Sequence, residues 1–151
     1  MQKKIRLAKI DDIDSIYEIE KISFENPWSK KSIRNAIKED LLSDILVFEY
    51  EKKVIAYISY MIIYDEIHIA NVATHPDFQN RKIASELFKY LVNYAEENDL
   101  RITLEVRTNN KYALKLYKSF NFKIEGLRKD YYGIDKDALI MWRDLEGERT
   151  I

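Results

Sequence analysis

Ile67-His68-Ile69-Ala70-Asn71-Val72-Ala73-Thr74-His75-Pro76-Asp77-Phe78-Gln79-Asn80-Arg81-Lys82-Ile83-Ala84 is the stretch whose reading decides the fold. Its first part is apolar and strand-like and leads through His75-Pro76. A short basic turn, Gln79–Ala84, follows. From Ala84 onward Leu87, Phe88, Leu91 and Ala95 recur at the spacing of a helix with one buried face. A strand that delivers a basic turn onto a helix N-terminus can hold a phosphate, since the first-turn amides are free and the helix dipole favours negative charge. The turn lacks glycine, although phosphate-cradling turns usually contain several. An ordinary basic turn into a helix is the competing reading.

Outward from this stretch, 151 residues make one domain, 1–151, large enough to bury roughly 70% of the unfolded surface. Hydrophobic content of 46% beside 34% charged residues describes a soluble globular chain. Lys+Arg (25) and Asp+Glu (26) nearly cancel to −1, so no global field points to nucleic acid or an anionic membrane. The absence of cysteine excludes a disulfide, a thiolate nucleophile and a cysteine metal site within these residues. The longest apolar run, Val54–Tyr64, is too short to span a bilayer, and the N-terminus lacks the apolar core of a signal peptide. A cytoplasmic protein is expected.

The rest of the chain reads as a strand at Lys4–Ala8 and a helix opened by Asp11 or Asp12 that runs to about Phe24. Asn26-Pro27-Trp28 breaks it, and Ser29 caps a second helix from Lys30 to about Glu39. Strand-like runs follow at Ile45–Tyr50, Val54–Tyr64 and Ile67–Ala73. After the Gln79 turn and its helix come a strand at Ile102–Val106 and a helix capped by Asn109 or Asn110. Two last strands follow, Phe122–Leu127 and Ala138–Trp142. The order, read loosely as βααββββαβαββ, implies an α/β fold with a mixed sheet, parallel where helices intervene and hairpinned elsewhere.

Several residues are candidates for chemistry. Glu105 sits within a buried strand, where a carboxylate is costly unless paired or used; its structural partner would be Arg107, two residues on and on the same face. Tyr117 lies on the helix after that strand and could converge with Glu105, or simply fill the core. Asn110 is most simply a cap. The Phe24–Ser29 segment, with two large aromatics, reads either as a binding lip or as a staple fixing two helices, and Tyr131/Tyr132 pose the same choice. His68 and His75, with no third ligand in view, are expected to be structural, so no metal is expected.

Taken together the segments resemble the GNAT N-acetyltransferase superfamily over essentially the whole chain. Its pyrophosphate loop reads Q/R-x-x-G-x-G/A; Gln79, Ile83 and Ala84 keep register, while Lys82 stands where the central glycine is expected. The likeness narrows to the ribosomal-protein-alanine N-acetyltransferase family and its archaeal protein N-terminal relatives. It is carried by Phe24-x-x-Pro27-Trp28-Ser29, Asn71-Val72-Ala73-Thr74-His75-Pro76, Leu104-Glu105-Val106-Arg107, Asn109/Asn110, Leu116-Tyr117, Arg128-Lys129-x-Tyr131-Tyr132 and Asp137-Ala138-Leu139-x-Met141.

The resemblance implies a central mixed β-sheet flanked by about four helices. It implies acetyl-CoA as donor and a protein or peptide N-terminus as acceptor. No metal, membrane or direct nucleic-acid partner is expected, and the protein is expected to be a monomer. By position, Glu105 matches the family's general base and Tyr117 its general acid. Val72, Ala73 and Thr74 match the strand whose backbone contacts the acetyl-pantetheine arm. Gln79, Asn80, Arg81, Lys82, Ile83 and Ala84 match the pyrophosphate loop, and Asn110 a further acetyl-CoA contact. Phe24, Pro27, Trp28, Tyr131 and Tyr132 are similar to the parts that flank the peptide groove. Residue 82 is expected to have helical φ, so that lysine is tolerated there.

Amine chemistry fits these roles. An α-amine with a pKa of about 7.7–8.0 is ~10–17% neutral at pH 7, whereas a lysine near 10.4 is neutral only ~0.04% of the time, a handicap of roughly 3–4 kcal/mol. One carboxylate is better matched to an N-terminal amine. A backbone N–H of the Val72–Thr74 strand would stabilise the oxyanion, and a phenol with a pKa near 10 could protonate the leaving thiolate. Without cysteine, direct transfer in a ternary complex is expected. A lysine or small-amine acceptor, or a non-catalytic acyl-CoA-binding module, are the alternatives.

Overall fold

The computed structural model describes residues 2–145. The chain forms two compact units, one built from the residues up to Ile62 with Ala70–Tyr90, the other from Ile63–Ile69 and the residues from Leu91 onward. Seven strands hydrogen-bond in the order β1 (Lys3–Leu7), β2 (Ser43–Tyr50), β3 (Lys53–Ile63), β4 (Glu66–Thr74), β5 (Arg101–Arg107), β7 (Ala138–Arg143), β6 (Lys123–Arg128), a mixed sheet as expected.

In the first unit, β1 (Lys3–Leu7) pairs antiparallel with β2 (Ser43–Tyr50), which pairs antiparallel with β3 (Lys53–Ile63). Between β1 and β2 the chain makes α1 (Ile13–Ser23) and α2 (Lys30–Arg34). A 3-10 turn at Ile10–Asp12 leads into α1, and Asp12 Oδ2 accepts the Lys9 N–H at 2.7 Å. Ser29 caps α2 by accepting the Ser32 N–H at 3.1 Å. The second helix then widens into a π-helical turn, Asn35–Glu39, where the Asp40 N–H reaches back to the Asn35 carbonyl. Ile16, Ile19 and Ile33 from the helices meet Ile45, Val47, Val54, Tyr57 and Ala73 from the sheet, which is where the apolar periodicity places a core.

The second unit contains β5 (Arg101–Arg107), α4 (Lys111–Ser119), β6 (Lys123–Arg128) and β7 (Ala138–Arg143). Glu66–His68 at the start of β4 (Glu66–Thr74) pair in parallel with Arg101–Thr103, while β5–β7 and β6–β7 are antiparallel. Arg143 is buried, 4% exposed, and is satisfied by the Phe120 carbonyl at 3.0 Å and Glu96 at 2.9 Å. The helix between β4 and β5, α3 (Ile83–Glu97), divides between the two units at Tyr90.

Two sequence expectations need correction. The loose order βααββββαβαββ carries one strand too many: the three runs expected between the second and third helices are the three strands β2, β3 and β4. Parallel pairing where helices intervene fails at β1 and β2, which pair antiparallel although α1 and α2 lie between them. β2 and β3 meet in a two-residue hairpin, as expected where no helix intervenes, with φ of 49° and 67° at Glu51 and Lys52, the primed turn that matches strand twist. With three glycines in the whole chain, left-handed positions fall on other residues. Asn80, Asp99, Asn121, Asp130 and Asp135 are of the types that tolerate them, whereas Glu51, Lys52, Tyr64 and Lys82 are not.

Candidate active site

The turn after β4 is built by side chains folding onto nearby backbone. His75 Nδ1 accepts the Asp77 N–H at 3.1 Å and starts a 3-10 turn, Pro76–Phe78. Gln79 Nε2 donates to the Thr74 carbonyl at 3.3 Å, which ties the turn to the end of the strand. Asn80 and Lys82 have φ of 64° and 60° and flank Arg81. Left-handed residues alternating along a turn bring successive amides to one side, the geometry of an anion-binding nest, and here the nest opens into the free amides of α3. The Arg81 guanidinium lies 5.4 Å over the Phe78 ring, itself packed on Tyr50 and His75.

Lys82 is therefore not helical, contrary to expectation. Lysine adopts the left-handed conformation here at a cost of about 1–2 kcal/mol. The Lys82 carbonyl accepts the Glu86 N–H at 3.0 Å, so this residue also begins the helix.

Along β4, Ala73 is buried and Val72 and Thr74 are half-buried. Phe24, Pro27 and Trp28 are half-buried too, and both aromatic rings pack against the first unit's core. The stapling role is thus realised, and each ring keeps an accessible part.

Sequence reasoning missed Glu20. It is fully buried, 0% exposed, at the end of α1's apolar stripe of Ile16 and Ile19. Its Oε1 accepts the Trp28 N–H at 2.9 Å; its Oε2 accepts Asn71 Nδ2 at 3.0 Å and the Tyr57 hydroxyl. Burial pushes this carboxyl above its ordinary value, against the Trp28 and Asn71 hydrogen bonds that favour the charge. The signal was available: a carboxylate four residues after Ile16 occupies a position where the helical period calls for an apolar side chain.

In the second unit Glu105 is half-buried on β5, opposite Ile140. Its recorded ion pair goes to Arg128, at 3.9 Å, and not to Arg107. Strand pairing explains the difference, because β6 brings Arg128 to Ala138 of β7, whose register also sets Glu105. Tyr132 donates its hydroxyl to the Glu105 carbonyl oxygen at 3.1 Å. Tyr131 meets Tyr132 edge-on at 4.9 Å, and the Arg128 guanidinium lies 5.3 Å over Tyr131. Tyr117 is 9% exposed and packs on Phe122 at 5.9 Å.

Burial first, then the neighbouring Tyr132 and Tyr112, raise the Tyr117 hydroxyl well above the ordinary phenol value near 10 that the sequence suggested. Tyr132 is pushed up to about 12, mainly by burial, then by Tyr131 and Glu105, with Arg107 opposing. Tyr132 is the electrostatic neighbour that Glu105 and Tyr117 share. Asn110 Oδ1 accepts the Ala113 N–H at 3.1 Å and so caps α4, as expected from the sequence. No helix among the described residues is long and apolar enough to cross a membrane.

The family model for the GNAT acetyltransferases matches residues 13–122. A Bacillus subtilis (strain 168) protein, provisionally named ribosomal protein bS18-alanine N-acetyltransferase, is 37% identical over 140 residues, covering 91% of this chain and 93% of that one. The crystal structure of the ribosomal-protein-S18-alanine N-acetyltransferase from Escherichia coli superposes with a TM-score of 0.86 at 26% identity, covering 97% of both chains. Ard1 from Thermoplasma volcanium superposes equally well, with a TM-score of 0.86 at 26% identity over 96% of this chain and 99% of that one. The chain belongs to the GNAT acetyltransferase family, and within it to the ribosomal-protein-alanine N-acetyltransferases.

Proposed function

We propose that the chain transfers acetyl from acetyl-CoA to the N-terminal α-amine of a protein, a ribosomal protein beginning with alanine, in the cytoplasm and as a monomer. The carrying observation is the Gln79–Ala84 turn. Left-handed Asn80 and Lys82 curl amides around Arg81 at the start of α3, a cradle suited to a pyrophosphate. Gln79, Asn80, Arg81, Lys82, Ile83 and Ala84 would hold that group, with the Val72–Thr74 backbone and Asn110 holding the rest of the donor. Acetyl-CoA supplies an acetyl group activated as a thioester.

The chain's own residues manage the protons. Glu105 takes a proton from the acceptor ammonium, directly or through one water, which frees the lone pair that forms the new N–C bond. As the C–S bond breaks, Tyr117 Oη gives its proton to the departing sulfur. The raised Tyr117 pKa keeps that proton in place throughout the neutral range. Phe24, Pro27 and Trp28, with Tyr131 and Tyr132, flank the acceptor's first residues. The names of the relatives support the α-amine acceptor, and so does the large neutral fraction of an α-amine at pH 7.

The test is an acetylation assay over N-terminal peptides, with N-blocked, lysine-containing peptides as competitors. Free alanine N-termini should be the preferred acceptors. Preferred acetylation of the blocked peptides would reject the α-amine reading, and acetyl-CoA binding without turnover on any amine would reject catalysis.

A further inference from the structure

Glu20 is fully buried, and the reaction as described makes no use of it. An apolar side chain would fill its place on α1 without the cost of desolvating a carboxylate. A carboxylate can instead accept several hydrogen bonds at once, and this one takes three neutral donors from three different parts of the first unit. Trp28 comes from the α1–α2 break, Tyr57 from β3 and Asn71 from β4.

The places it grips matter. Trp28 immediately precedes the Ser29 cap, so fixing its N–H fixes how the chain enters α2. Asn71 immediately precedes Val72–Thr74, and its own N–H is fixed on Ser59 Oγ at 3.1 Å.

We propose that Glu20 is a positioning residue for the acceptor: its carboxylate holds the Trp28 backbone in register with β4, and so sets the Phe24–Trp28 segment that receives the acceptor's first residue. This rests on the reading of that segment as acceptor-flanking. Glutamine is a poor substitute. It lacks the charge, and with Oε1 kept on the Trp28 N–H its NH2 group faces Asn71 Nδ2 and the Tyr57 hydroxyl, which must both reverse to accept. Tyr57→Phe, by contrast, removes one donor from Oε2 and leaves the Trp28 bond on Oε1 intact.

The experiment is steady-state kinetics with both substrates varied, beside calorimetry of acetyl-CoA binding. Glu20→Gln should raise the acceptor KM by about tenfold, the scale of a lost hydrogen bond to a charged group. The acetyl-CoA KM and its directly measured affinity should stay within about twofold, and Tyr57→Phe should shift the acceptor KM far less. Equal losses for both substrates, or no change in acceptor KM, would overturn the inference.

If Glu20→Gln does not fold, Glu20→Asp, which keeps the charge but withdraws it by one methylene, reads the same split. In the wild type, amide exchange at Trp28 should be strongly slowed, and slowed further by acceptor peptide but not by acetyl-CoA alone; free exchange there also overturns it. Trp28→Ala and Phe24→Ala separate the two levels. If neither moves the acceptor KM, the acceptor reading fails; if they do and Glu20→Gln does not, the positioning role alone fails.

Discussion

The Tyr132 hydroxyl donates to the Glu105 backbone carbonyl across 3.1 Å, linking residues 27 apart in sequence. The aromatic loop between β6 and β7 is thereby pinned to the strand that carries the proposed base. Tyr132→Phe keeps the ring and removes one neutral hydrogen bond, worth about 0.5–1.5 kcal/mol. The expected result is a fall in kcat/KM of about two- to tenfold on an N-terminal peptide. A wild-type value would show that the clamp has no bearing on turnover.

Removing either proton-transfer group should be far more costly. Glu105→Gln and Tyr117→Phe are each expected to lower kcat by about 10²-fold or more, the scale of acid–base groups, with near-normal acetyl-CoA binding. Because burial raises Tyr117 above the ordinary phenol value, its neutral form persists beyond pH 10. The wild-type pH–rate profile should therefore show no falling limb from Tyr117 up to about pH 10. Near-normal turnover in both variants would sink the mechanism.

Lys82 stands in the left-handed region at φ 60°. Lys82→Gly relieves a penalty of about 1–2 kcal/mol and gives back part of it as unfolded-state entropy, so a net gain of about 1 kcal/mol is expected in urea melts. If the lysine also supplies charge to the pyrophosphate, the acetyl-CoA KM of the variant should rise about threefold at low salt, and the gap should close at high salt. A stability loss would refute the strain argument.

Asp12 carries a pH signature. Burial alone would raise its carboxyl, but the bidentate Arg6 guanidinium, at 2.7 and 3.0 Å, and the Lys9 N–H outweigh burial and hold it below the ordinary value. A depressed pKa stabilises the fold above the unfolded-state value, near 3.8, and that contribution is lost as pH falls through the folded value beneath it. Asp12→Asn should cost about 1.5–3 kcal/mol at pH 7. Denaturation at pH 7 and near pH 3 should show the gap between wild type and variant shrinking on acidification; a constant gap would contradict the assignment.

Much of the architecture was legible from residue order because its causes are local. Apolar residues every three to four positions marked α1 and α3, and Ser29 and Asn110 were readable as caps because each bonds an amide three residues on. The Gln79–Ala84 loop was legible for the same reason, as a short basic turn between a strand and a helix. The conformation of Lys82 was not, since a lysine signals nothing about φ and the glycine that would have announced a left-handed residue is absent. Arg107 was the natural partner for Glu105 by strand periodicity, yet Arg128 is the one recorded, because pairing with another strand outweighs proximity along the chain.

By itself, then, the sequence determined most of the elements, their order along the chain and the short basic turn between β4 and α3, all of which depend on neighbours a few positions apart. Tertiary structure alone decided how polar groups are satisfied. Glu20 draws its donors from residues 8, 37 and 51 positions away, and Tyr132 reaches 27 positions back to Glu105. A buried carboxylate must find its hydrogen bonds wherever the closed fold presents them, and no local pattern encodes that.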